Sequence, residues 1–154
     1  MKPALDYGSG GREKDICTGI PACRGAYILV LLLRDPLRIR VGGLGIIEFG
    51  RGYYAYVGSA KGPGGVRARL CRHILGRGVK RWHIDYLREH ADVAHYLYTC
   101  GGPSEGVIAE RCHKLLKPGP LGFGSSDDPA NPTHLFSCPA SLEDCARRIR
   151  ECIS

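Results

Sequence analysis

Glutamine is absent from this 154-residue chain, and asparagine occurs once, at Asn131. Amides are thermolabile, so their depletion predicts a hyperthermophilic source, with genomic bias as the competing cause. Long apolar runs are missing as well. The longest, Ala26 to Leu33, is too short to span a bilayer, and the first residues carry no signal-peptide core. These absences predict a soluble, cytoplasmic protein. Paired Cys-x-x-Cys spacing is also lacking: Cys17 and Cys23 are followed by scattered Cys71, Cys100 and Cys112, then Cys138, Cys145 and Cys152. No zinc-finger or zinc-ribbon pattern fits, so structural zinc is not expected. One or two disulfides would suit a hyperthermophile, and buried free thiols account for the cysteines as simply. There is no internal repeat or low-complexity tract, and a chain of this length needs only one domain.

Positive charge is plentiful. The net charge is +7, and sixteen of the 22 basic residues are arginine. Arg67, Arg69, Arg72, Arg77, Lys80 and Arg81 crowd one stretch that also holds His73 and no acid. Such a patch predicts a polyanionic partner, whereas the plainer reading is a solvated helix face.

The patch adjoins an aromatic strand. In GYYAYVGSA, period two puts Tyr54, Tyr56 and Gly58 on one face and Tyr53, Ala55 and Val57 on the other. Gly62-Pro63-Gly64-Gly65 then forces a reversal, because glycine takes positive φ freely and proline presets a turn. A helix follows from near Val66, with Val66, Leu70 and Ile74 as its buried stripe and Arg69 and His73 one turn apart beside it. Phenols, a guanidinium and an imidazole are thereby brought together. Phosphate chemistry uses these groups, since Arg grips phosphate bidentately and a phenol can carry a proton if cations lower its pKa from about 10. A half-exposed tyrosine strand on an ordinary basic helix is the alternative.

Elsewhere the pattern predicts a flexible leader over 1–23, a buried strand in AYILVLLL, and a hairpin of LRIRV and GIIEF around Gly42-Gly43. A short helix over Trp82–His90, a strand VAHYLYTC, a helix from Ser104 to Lys117, a strand THLFSC and a closing helix with Ser141 as N-cap complete it. On the Ser104–Lys117 helix, Glu105 steps back three residues from Ile108 and so points inward with Cys112, Leu115 and Leu116, while Glu110 points out. An inward acid can ligate a divalent cation or simply favour a helix N-terminus.

Gly25-Ala26-Tyr27, Tyr56-Val57-Gly58, Arg69, His73 and Glu105, in this order, resemble the GIY-YIG endonuclease superfamily. The blocks YVGSAKGPGGVRARLCRH, WHIDYL, GFGSSD and THLF are similar to its branch of short bacterial and archaeal proteins, sometimes joined to an endonuclease III-type glycosylase. The resemblance covers roughly 24–138, leaving 139–154 as a C-terminal helix packed on the same domain. It implies an α+β domain with a central three-stranded antiparallel sheet flanked by helices. It further implies a nuclease hydrolysing phosphodiester bonds, of DNA rather than RNA, acting in repair with a repair-protein partner. Tyr27 and Tyr56 would line the scissile phosphate, Arg69 would stabilise its charge, His73 would assist proton transfer, and Glu105 would hold a single Mg²⁺ or Mn²⁺. Lys61 would contact phosphate or depress a phenol pKa, with Arg67, Arg72, Arg77, Lys80 and Arg81 gripping the nucleic acid. His83 and Asp85 would form a pair bordering the site, unless His83 only packs or caps, and His134 or Asn131 would stand in for a late asparagine of the superfamily. The chain departs from the branch at Gly106 and Asp128, where cysteines tend to occur. A non-catalytic nucleic-acid-binding module on the same scaffold is the competing expectation.

Overall fold

A computed structural model of the chain describes residues 13–76, 78–139 and 141–154. Among these, a short helix α1 (Glu13–Thr18) leads into β1 (Gly25–Leu33), and a hairpin of β2 (Leu37–Arg40) and β3 (Ile46–Phe49) precedes β4 (Gly52–Ala60). Next come α2 (Gly65–Leu75), α3 (His83–Arg88), β5 (Asp92–Cys100) and α4 (Glu105–Leu115). The chain finishes with β6 (Lys117–Pro118), β7 (Leu135–Ser137) and α5 (Leu142–Ile153).

The protein is α+β. Its main sheet has five antiparallel strands in the order β5-β1-β4-β7-β6, and β2 and β3 pair apart from it. The sheet is therefore wider than the three strands expected. Three nine-residue strands form its centre, and β7 and the two-residue β6 extend one side. The pattern could not announce β6, since two residues ending in proline carry no alternation.

β1 lies between β4 and β5 because its apolar run is buried on both faces. On one face Tyr27, Leu29, Leu31, Tyr54 and Tyr56 pack with Val66, Leu70 and Ile74 of α2 and with Ile84 and Leu87 of α3. On the other, Ile28, Val30, Ala55, Val57 and Leu97 meet Ile108 and Cys112 of α4 and Cys145, Ile149 and Cys152 of α5. The result is a sheet between two helical layers, and the alternation predicted for β4 fixes which residue enters which layer.

Gly64 and Gly76 bound α2 with φ of 81° and 63°, a left-handed geometry that a side chain would strain. Ser104 and Ser141 cap α4 and α5 by accepting from the N–H groups of Val107 and Asp144, both at 3.3 Å.

Three disulfides form, one more than the upper expectation: Cys17–Cys71, Cys23–Cys100 and Cys138–Cys145. Cys112 and Cys152 remain buried thiols. Of the leader expected over 1–23, residues 1–12 lie outside the described residues. The remainder contains α1 and two bridged cysteines, Cys17 and Cys23, which tie it to α2 and to the end of β5. Among the described residues no helix is long and apolar enough to cross a membrane.

Candidate active site

Strand β4 pairs with β7 only over Tyr54–Tyr56. Beyond it, a bond from Cys138 N–H to the Tyr53 carbonyl at 2.9 Å flanks one end, and one from Val57 N–H to the His134 carbonyl at 2.9 Å closes the other before the chains part. A cavity of about 300 Å³ opens at this bared edge. An edge is the one place where side chains from both helical layers can meet, and here they do. Tyr56, Arg69, Trp82 and His83 enter from the α2–α3 side, Ser59 and Glu105 from the α4 side, and Asp128 and His134 from the segment before β7.

The two phenols are separated in depth. Tyr56 lines the cavity. Tyr27 does not: it is 1% exposed, lies over Gly58 and contacts His73 Nε2 through its hydroxyl at 2.8 Å. His73 is likewise 1% exposed. Tyr27 and His73 thus stand behind the cavity wall, contrary to the expectation that both tyrosines border the phosphate. Nor does Arg69 lower the phenol pKa values on balance. Burial pushes Tyr27 well up, with Tyr56 adding to it, and burial followed by the Glu105 charge pushes Tyr56 up; Arg69 offsets only part of each.

The guanidinium carbon of Arg69 sits 4.2 Å from the centre of the Trp82 ring. Stacking holds the group in place while leaving its N–H donors for a ligand, and among the described residues Arg69 makes no ion pair. The rest of the predicted basic patch divides. Arg81 lines the cavity. Arg72 donates to Asp85 at 2.8 Å and to the Val79 carbonyl, Arg67 donates to the Ile20 carbonyl at 2.5 Å, and Lys80 pairs with Glu89 at 3.0 Å. Lys61 borders a separate depression with Arg24 and Ser104, and Arg77 lies outside the described residues. Arg67 thus commits its Nε–H, and Arg72 one terminal nitrogen, to contacts within the protein.

His83 and Asp85 do not pair with each other. His83 Nδ1 accepts from the Gly124 N–H at 2.9 Å, and burial lowers its pKa. Asp85 turns the other way, accepting from the backbone N–H groups of Arg81 and Trp82 at the start of α3 and from Arg72. These bonds outweigh burial and lower its pKa.

Glu105 opens α4, with its side chain 35% exposed and 3.6 Å from His134 Nδ1. The other ring nitrogen of His134 lies 2.8 Å from Asp128 Oδ2, which also accepts from Asn131 at 2.7 Å. Burial opposes protonation of His134, yet the neighbouring Glu105 and Asp128 carboxylates prevail and raise its pKa. Asn131 donates as well to the Gly106 carbonyl at 3.1 Å. His134 and Asn131 thus act together, tying the GFGSSD loop to the start of α4. Gly106 and Asp128, the two departures from the resembled branch, come together here: a Cβ on Gly106 would lie 3.3 Å from Asp128 Oδ2.

Trp82 and Asp128 were not singled out by their own chemistry. Trp82 lies in the WHIDYL block, whereas Asp128 stands directly after GFGSSD, at one of the two departures from the resembled branch. A model of the family described as a domain of unknown function, DUF123, matches residues 26–154. No curated protein and no solved structure matches.

Proposed function

The chain belongs to the DUF123 family, and from the chemistry of its cavity we propose that it is a metal-dependent nuclease hydrolysing phosphodiester bonds in DNA. One observation carries this reading: Tyr56 of β4, Arg69 of α2 and Glu105 of α4 line the same cavity at an open strand edge. A phenol, a stacked guanidinium and a carboxylate drawn from three elements suit a phosphodiester better than a hydrophobic ligand. The resemblance to GIY-YIG endonucleases supports the same choice and suggests DNA repair as the process.

In this reading Arg69 grips the non-bridging oxygens and stabilises charge as it develops, a role typically worth several kcal/mol. Arg81 adds a second cation at the wall. Tyr56 presents its hydroxyl to the attacking water. Glu105 would hold a single Mg²⁺ or Mn²⁺. The donor chemistry fits, because one partly exposed carboxylate suits an ion that keeps its waters and shares phosphate oxygens. Such an ion, when bound, supplies Lewis-acid charge to the leaving oxygen.

The test is incubation with plasmid, flap, junction and RNA substrates in Mg²⁺, in Mn²⁺ and with chelator. Cleavage is expected to need the divalent ion, and Glu105→Ala is expected to lower it about 10²-fold or more with salt-sensitive binding retained. Tight binding without cleavage of any substrate by the wild type would overturn the enzyme in favour of a recruiting module.

A further inference from the structure

The end of the sheet beside the active cavity carries a second depression. Gly25 opens β1 and pairs with Ala60 of β4 on one side and with Cys100 of β5 on the other. One residue further out, Arg24, Lys61 and Gly101 therefore stand side by side, and with Gly102 and Ser104 they wall a space of about 350 Å³. Its floor is tightly built. Gly101 N–H donates to the Arg24 carbonyl at 2.8 Å, the Cys23–Cys100 disulfide joins the residues just before, and a Cβ on Gly25 would run into the Thr99 carbonyl. Arg24 and Lys61 are both exposed, and among the described residues neither makes an ion pair. No acid lines this depression, whereas Glu105, Asp127 and Asp128 line the active cavity.

The two spaces adjoin along two stretches of chain. Ser59 and Glu105 line the active cavity, while Lys61, two residues on from Ser59, and Ser104, one residue before Glu105, line the depression. The turn after Lys61 also reaches Arg69, since a Cβ on Gly62 would lie 3.5 Å from a terminal guanidinium nitrogen. Two extended residues cover about 6–7 Å, a step comparable to that between neighbouring phosphates of a nucleic-acid strand. We propose that Arg24, with Lys61 beside it, holds the phosphate next to the scissile one on the same DNA strand, so that the protein engages two consecutive phosphates. The inference rests on the nuclease reading above and deepens it. Arg24 offers a planar fork to two non-bridging oxygens and Lys61 a compact charge, the pair of donors that an isolated phosphodiester anion takes. A space with cations and no acid suits the anion alone, while the mixed charges of the active cavity suit an anion that arrives with a metal ion.

Arg24 touches no reacting atom in this arrangement, so the subsite contributes binding that substrate and transition state share, and its effect falls on KM. It also sets the smallest good substrate. A dinucleoside monophosphate has one phosphate and fills the active cavity only. A trinucleoside diphosphate fills both spaces in one of its two registers. At a strand end the terminal link has no phosphate beyond it on one side, so the protein favours links inside a strand over that terminal one.

The test compares cleavage of a trinucleoside diphosphate and a dinucleoside monophosphate. Wild type is expected to favour the longer substrate about tenfold or more in kcat/KM, mostly through KM, and Arg24→Ala to lose most of that preference. Arg24→Lys should keep part of it, and Arg38→Ala, an exposed arginine of the β2–β3 hairpin, should keep all of it. An uncharged methylphosphonate in place of the neighbouring phosphate, on one side of the scissile link, should cost wild type as much as Arg24→Ala does and should cost Arg24→Ala little more. Equal preference in wild type and Arg24→Ala, or a methylphosphonate penalty undiminished in Arg24→Ala, would overturn the subsite. Binding separates this from the nuclease reading. In chelator, log affinity for a single-stranded oligonucleotide should fall with log salt about 0.7 more steeply in wild type and Arg38→Ala than in Arg24→Ala. If the wild type cleaves nothing, the nuclease reading fails while these slopes still decide whether Arg24 meets a phosphate, and equal slopes in wild type and Arg24→Ala would overturn that contact.

Discussion

Gly58 faces Tyr27 across β1 and β4, and the phenol fills the space a side chain would take: a Cβ at Gly58 would lie 2.2 Å from Cζ of Tyr27. Glycine stands here for room, its backbone being ordinary strand. Gly58→Ala is therefore expected to lower stability by about 1–3 kcal/mol in urea unfolding. Adding Tyr27→Ala should recover part of that loss, as a double-mutant cycle would register. A Gly58→Ala chain within about 0.5 kcal/mol of wild type would show that the ring does not need the space.

Stacking on Trp82 makes Arg69 more than a positive charge. Arg69→Lys keeps the charge and loses the planar fork, so kcat for DNA cleavage should fall about 10²-fold. Trp82→Leu should fall in the same direction by less. Arg38→Ala, at an exposed pair with Glu48 on the β2–β3 hairpin, is the control expected to cleave like wild type. Equal activity of Arg69→Lys and wild type would remove Arg69 from the chemistry.

Disulfide contributions should follow the loops they close. Cys23–Cys100 spans a separation of 77 residues, against 7 for Cys138–Cys145. Loop entropy alone gives about 4.5 against about 2.4 kcal/mol, so replacing Cys23 and Cys100 by Ser should cost roughly twice as much as replacing Cys138 and Cys145. Denaturant midpoints of the two double variants under non-reducing conditions check the order. The long bridge also ties down the end of β5, the strand that leads into α4 and Glu105, so its loss is expected to lower activity as well as stability.

Acid should weaken the fold through His73. Its pKa is pushed down to about 4 by burial, whereas the unfolded chain protonates it near its ordinary value of about 6.5. A depressed histidine leaves stability full above about pH 6.5 and drains it as pH falls through the window to about 4, by roughly 3 kcal/mol in total. His134, whose pKa is raised, has the opposite slope, losing its contribution as pH rises. His73→Gln is expected to flatten the acid limb of a plot of urea midpoint against pH. An unchanged limb would mean that another group governs it.

Cys112 and Cys152 are both buried between α4 and α5, and their mutual contact, with burial adding to it, raises the Cys112 pKa. A thiol so placed resists alkylation. Without reductant, native protein should take up no iodoacetamide at these positions, and unfolded protein should take it up at both. Labelling of the native state would contradict the packing.

Much of the architecture was written locally. Alternation in GYYAYVGSA assigned Tyr54 and Tyr56 to one layer and Ala55 and Val57 to the other, four-residue spacing assigned Val66, Leu70 and Ile74 to the core, and Ser104 and Ser141 marked helix starts. Glu105 was legible from its step back from Ile108. The basic run between Arg67 and Arg81 was legible only as charge, because whether a guanidinium is free depends on which carbonyls and carboxylates lie near it.

By itself, then, the sequence determined the α+β class, the faces of the strands and the kinds of group available, since backbone preference and side-chain period act between near neighbours. Tertiary structure alone decided that β7 leaves β4 after Tyr56, so that Arg69 and Glu105, from opposite layers, share one cavity. It also decided that Tyr27 and His73 lie behind that cavity and that Cys23 finds Cys100. These outcomes turn on contacts between residues far apart in the chain, and distance in space is not encoded in spacing along it.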